Sequence, residues 1–102
     1  MALKQYILIK DTVDNGHAIV ATAHASLAGY LKWKDDPIVQ IWVKDSFRKV
    51  VCRVTQEEFE WAKLLTDSHV MTESSLDNAE VAIVLKPREE WDRRLKFFTL
   101  WK

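Results

Sequence analysis

The sequence predicts an α/β domain: a three-layer α/β/α arrangement around a mixed, mostly parallel four-stranded sheet, with element order β-α-β-α-β-β-α. Three observations predict it. Short apolar runs alternate with longer stretches whose apolar residues recur every three to four positions, the patterns of strands and helices in turn. Two of these alternations are β-α-β connections, which pair strands in parallel and set helices over both faces of the sheet. The link Ser75–Ala79 is short enough to let the last two strands run antiparallel, which makes the sheet mixed.

Each element has its own signal. Gln5–Lys10 (QYILIK) is an apolar run bounded by charge, which suits a strand buried on both faces. Asp11–Gly16 (DTVDNG) is turn chemistry, with Asp and Asn bonding back to the backbone and Gly tolerating positive φ. His17–Trp33 reads as a helix whose alanines at 18, 21, 25 and 28 form a flat face able to lie close on a sheet. KDDP at 34–37 stops it, because proline disfavours helix at the residue before it. Ile38–Val43 fits one to two helical turns or a cover strand, and Arg48–Val54 (RKVVCRV) is strand-like.

The run Thr55-Gln56-Glu57-Glu58 fits a capping box that opens a helix reaching about Leu65, buried on Phe59, Ala62 and Leu65. His69–Ser74 and the stronger Glu80–Leu85 (EVAIVL) are the last strands. Pro87 suits the first turn of a final helix, with Glu89–Arg93 and Glu90–Arg94 spaced as ion pairs and Trp91, Leu95 and Phe98 on its apolar side.

Composition narrows the function classes. The 102 residues carry no repeat or low-complexity linker and read as a single domain over 1–102. A 48% apolar content with five tryptophans excludes disorder. Fifteen cations balance fifteen anions, which argues against a uniformly basic nucleic-acid binder and leaves room for a local patch. The lone Cys52 supplies neither an intrachain disulfide nor a zinc cluster. No apolar run reaches membrane length, so the expected location is the cytoplasm.

Gly16, the small apolar residues after it and His24-Ala25, within GHAIVATAHASLAGY, resemble the first-helix motif of the type II peptidyl-tRNA hydrolases. YILIK before it, KVVCRVTQEEFEWAK and the strand ending at Pro87 are similar to that family too, so the resemblance spans nearly the whole chain. It implies the family's fold and hydrolysis of the ester joining a peptide or acyl group to tRNA. His17 then stands where the family has a functional lysine, and Ala21 where it has a glutamine. Aligned back from Pro87, the family's acid falls on His69 and its threonine on Glu73, and a one-residue slip puts the threonine at Thr72.

The candidate catalytic residues are therefore His17, His69, Glu73 and Thr72, with Gly16, His24, Ser74 and Asp77 as substrate-binding positions. His17 opens a helix just after a strand, where ligands collect and backbone amides point at anions. The competing reading is a solvated helix start. His24 lies two turns further in among alanines, where a half-buried structural histidine is favoured. His69 with Glu73 offers a histidine–carboxylate pair able to activate water, while TESSLDN reads equally well as a polar turn.

No HxH or HExxH spacing occurs, so no metal is expected, and no cofactor is implied. Lys44, Arg48, Lys49 and Arg53 cluster around the second strand, more as a solvated strand entry than as a phosphate site. Five tryptophans exceed what so small a core needs, which points to a homodimer interface. The expected function is a peptidyl-tRNA hydrolase-like esterase with tRNA as partner. The alternatives are a non-catalytic homodimeric binding protein on the same fold, or a small-molecule hydrolase.

Overall fold

The computed structural model of the protein describes residues 3–102. Tyr6, Ile7, Leu8 and Ile9 are all buried in β1 (Lys4–Lys10), and their alternation divides the interior in two. Ile7 and Ile9 face one side with Ala18, Ala21 and Ala25 of α1 (Asn15–Trp33). Tyr6 and Leu8 face the other, with Phe59 and Ala62 of α3 (Gln56–Ala62). A strand covered on both faces needs an unbroken apolar run, and YILI supplies it.

Small residues let α1 lie close to the sheet. A Cβ placed on Gly29 would come 2.8 Å from Val84 Cγ2. The buried Gln5 fixes the register beneath it: its Oε1 accepts from Ser26 Oγ at 2.7 Å and its Nε2 donates to the Ser26 carbonyl at 3.3 Å. After α1, Asp36 caps α2 (Pro37–Lys44) by accepting from the Ile38 amide, with Pro37 in the first turn. The Thr55–Glu58 capping box is formed in both directions and opens α3.

Among the described residues one five-stranded sheet forms, in the order β3-β4-β1-β2-β5. β2 (Arg48–Val54) runs parallel to β1, whereas β4 (Ala79–Leu85) is antiparallel to it. β3 (Ser68–Glu73) is antiparallel to β4, and β5 (Thr99–Leu100) is antiparallel to β2. The expected mostly parallel four-stranded sheet is thus overturned. The crossover through α3 does return β3 in the direction of β1, but the β3–β4 hairpin inserts β4 between them. Parallel direction therefore becomes antiparallel neighbourhood.

The expected final helix is also replaced. Pro87 is buried at the end of β4, and Arg88 continues as an extended bridge to Lys4. Beyond it the chain makes a 3₁₀ segment, Arg93–Phe97, and then edge strand β5. Arg93 and Arg94, expected to pair with Glu89 and Glu90 along a helix, lie instead over the rings of Phe97 and Trp61, and Arg88 lies over Trp91.

Tryptophan does not make the spare surface that its abundance suggested. Trp42 is fully buried, and Trp33, Trp61, Trp91 and Trp101 are each part-buried against a core cluster. Lys86 crosslinks the lower edge, donating to Asp36 at 2.9 Å and lying 3.2 Å from Asp67. Those hydrogen bonds raise the Lys86 pKa and lower that of Asp36.

Candidate active site

The chain leaves β1 over one face through α1 and leaves β2 over the other through α3. Loops that diverge at the carboxyl ends of neighbouring parallel strands open a crevice there. Because β4 runs antiparallel to β1, the β3–β4 turn comes to the same end. Two segments far apart in sequence thus meet: Asp14–His17 at the start of α1, and Glu73–Ser75 at the end of β3.

Asp14 is the cap of α1, and its carboxylate does two jobs. Oδ1 accepts from the His17 amide at 3.0 Å, and Oδ2 lies 2.7 Å from His17 Nδ1. These bonds hold the Asp14 carboxyl below the usual carboxylate range. An ionised carboxylate only accepts, so Nδ1 carries the proton and Nε2 of the neutral ring presents its lone pair. Nε2 lies 3.2 Å from Ser75 Oγ. Ser75 in turn donates to Glu73 Oε2 at 2.9 Å from its backbone amide and at 2.9 Å from its hydroxyl. The Ser75 amide bond first, then the Ser75 hydroxyl and the nearby His17 and His24, lower the Glu73 pKa.

The row Asp14–His17–Ser75–Glu73 has a definite protonation logic. With His17 neutral, the single Ser75 hydroxyl proton serves either Glu73 or Nε2. With His17 protonated, Nε2–H donates to Ser75 and Ser75 donates to Glu73, so each proton in the row meets an acceptor. The arrangement therefore accommodates a proton arriving at Nε2, flanked by two carboxylates. That is what a general base requires. The His17 side chain keeps 36% of its exposure, so water reaches it.

The other predicted residues divide. His17 and Glu73 are brought together through Ser75. His69 is not with them: it sits at the opposite end of β3, where Lys32 Nζ donates to its Nδ1 at 3.4 Å. Burial and the Lys32 charge push its pKa below the ordinary imidazole value. Thr72 is exposed beside the irregularity in the β3–β4 pairing, opposite Glu80. Ser74 is exposed in the turn, and Asp77 adopts a left-handed conformation with φ 55° that reverses the chain.

Gly16 lies inside the first turn of α1 rather than in a positive-φ loop, and a Cβ there would press to 3.3 Å from Asp14 Oδ1. Its smallness protects the cap. His24 is exposed rather than half-buried and contributes to the charge around Glu73. Asp14 and Ser75 were missed as site residues, since both stand in stretches that read as turns. The usable signal was an acid three residues before a histidine at a helix start, where one cap carboxylate reaches both the amide and the ring.

Beside this row, on the β2 flank of α1, Arg53 stacks 3.7 Å from the Trp101 ring, and Trp101 Nε1 donates to Asn15 Oδ1 at 3.1 Å. Lys10 and Arg53 lie at the carboxyl ends of β1 and β2, whereas Arg48 and Lys49 lie at the opposite end. Cys52 is buried, and its thiol is pushed up to about 11, mainly by burial, which makes it an inert core residue. Among the described residues no group of three or more His, Cys, Asp or Glu is placed to hold a metal ion. No helix among them is long and apolar enough to cross a membrane. No known family model matches the chain.

Proposed function

We propose that the protein is a cytoplasmic esterase that hydrolyses the bond joining a peptide or acyl group to tRNA, with His17 as general base. The observation that carries this reading is the Asp14–His17–Ser75–Glu73 row at the carboxyl edge of the parallel strands. A water beside Ser75 gives its proton to Nε2 as its oxygen attacks the ester carbonyl. The same proton then passes to the departing ribose oxygen. Asp14 holds the ring in the tautomer the step needs and stabilises its charged form.

The tRNA part of the reading draws on the resemblance of GHAIVATAHASLAGY to the type II peptidyl-tRNA hydrolases, and on Arg53 and Trp101 beside the start of α1. A guanidinium layered on an indole offers a charge for phosphate and a flat surface for a base. The test incubates the protein with peptidyl-tRNA and follows release of free tRNA. Turnover by the wild type with a roughly 10²–10⁴-fold loss in His17→Ala is the expected result. Absence of turnover in the wild type overturns it.

A homodimer belongs to the same proposal. Large apolar side chains such as Leu27, Leu31 and Phe47 are more than half exposed, which a lone chain leaves in water.

A further inference from the structure

In the hydrolytic step Ser75 serves only as a neighbour of the attacking water, yet it has the geometry of a nucleophile. Asp14 Oδ2 lies 2.7 Å from His17 Nδ1, and His17 Nε2 lies 3.2 Å from Ser75 Oγ. A hydroxyl within hydrogen-bond reach of an imidazole, itself oriented by a third group, is the signature of an activated serine. Such a set is recognised by geometry and roles rather than by order along the chain, and Ser75 stands 58 residues after His17. Asp14 fixes the ring twice, since its Oδ1 also accepts from the His17 amide at 3.0 Å.

The turn that carries Ser75 is held as well as the ring is. Ser75 lies in the 3₁₀ turn Ser74–Leu76, and the Glu73 carboxylate accepts its amide at 2.9 Å. The Asn78 amide donates to the Glu73 carbonyl at 2.9 Å, across Asp77 and Asn78 at φ of 55° and 58°. Positive φ is uncommon outside glycine, and Asp and Asn are among the residues that accept it. Ser75 is exposed, so its oxygen is open to solvent. Its hydroxyl proton has two acceptors, Glu73 Oε2 at 2.9 Å and His17 Nε2 at 3.2 Å. Rotation about the Cβ–Oγ bond carries the proton from one to the other while the oxygen stays in place.

We propose that Ser75 is a covalent nucleophile, taking the acyl group of an ester onto its Oγ before water releases it. Oγ attacks the ester carbonyl as its proton moves to Nε2. The C–Oγ bond forms, the bond to the alcohol oxygen breaks, and that oxygen leaves with the proton from Nε2. Water then attacks the acyl-serine and gives a proton to Nε2, and Oγ takes that proton back as the C–Oγ bond breaks. The sum is ester and water to acid and alcohol. The substrate class is an oxygen ester, whose alcohol leaves more readily than the amine of an amide. This rests on the reading of His17 as the base and adds a second route through it. Ser75→Ala closes the covalent route and leaves the water route open.

The test incubates the full chain with an alkyl fluorophosphonate and, separately, with p-nitrophenyl acetate followed by an acid quench. Peptide mass mapping then locates the adducts. The wild type is expected to carry a phosphonyl group in the first case and an acetyl group in the second, both on Ser75. The exposed neighbour Ser74 is expected to stay unlabelled. His17→Ala, with an unchanged melt, is expected to label Ser75 about 10²-fold more slowly. Equal labelling in the wild type and His17→Ala, or labelling of Ser74 and Ser75 alike, overturns the proposal. An unlabelled Ser75 also overturns it, and the water route stands if that protein still cleaves peptidyl-tRNA. A labelled Ser75 in a protein that leaves peptidyl-tRNA intact upholds the nucleophile and overturns the tRNA reading.

Discussion

His17 and His69 stand near opposite ends of the same strand pair and in opposite company. His17 has a carboxylate on one ring nitrogen, a hydroxyl on the other and a second carboxylate beyond that hydroxyl. His69 has the Lys32 ammonium against its Nδ1 and is partly withdrawn from water. The first ring lies between two carboxylates, and the second lies against an ammonium that, with burial, disfavours its protonated form. The same side chain is thus the proposed base at one end of β3 and a packing group beside a cation at the other, and the difference lies in what the fold brings beside it.

The strongest way to break this contrast is at Asp14. Asp14→Asn removes the charge that holds the His17 tautomer, and hydrolysis is expected to fall about 10²-fold, read as kcat/KM at fixed pH. The same change leaves His69 untouched. Next comes Gly29→Ala. The added methyl has Val84 Cγ2 at 2.8 Å and Gln5 Nε2 at 3.2 Å in its way, so α1 must shift from the sheet that aligns it with β3. A loss of about 1–3 kcal/mol in urea unfolding is expected. Ser75→Ala is milder, since water can replace the hydroxyl beside His17. A several-fold loss of rate with an unchanged melt is expected.

The smallest effect sharpens the His69 end. Lys32→Met removes the like charge and leaves burial, so the His69 pKa is expected to rise toward, without reaching, the ordinary value of 6.5, followed by NMR titration. In the wild type the folded chain binds the His69 proton more weakly than the unfolded chain. Stability is therefore kept above 6.5 and lost as pH falls through the lowered folded value. The substitution narrows that window, so the pH dependence of the melt flattens below 6.5.

Much of the frame was legible because local signals agreed with the packing. YILIK and RKVVCRV became neighbouring parallel strands, the alanines at 18, 21 and 25 became the buried face of α1, and Thr55–Glu58 capped α3. The segment after Pro87 misled for a physical reason. Its apolar spacing at Trp91, Leu95 and Phe98 suits a helix, yet Tyr6 and Trp61 take Trp91 and Phe98 as partners, and the chain ends as an edge strand on β2. Sheet order was hidden as well, because no local feature says that a hairpin strand will slip between two strands of like direction.

At the site, the helix start marked His17, and the run after Thr72 marked its neighbourhood. That Ser75, rather than Ser74 or Thr72, meets the ring depends on the turn geometry that Asp77 and Asn78 create with φ of 55° and 58°. Backbone conformations of this kind are set by the whole hairpin.

The most direct test is the rate of peptidyl-tRNA hydrolysis at neutral pH by the wild type, His17→Ala and His69→Ala, each checked for an unchanged melt. Turnover by the wild type is expected, with a roughly 10²–10⁴-fold loss in His17→Ala and a change within about twofold in His69→Ala. Equal rates for the two variants, or no turnover in the wild type, would contradict it.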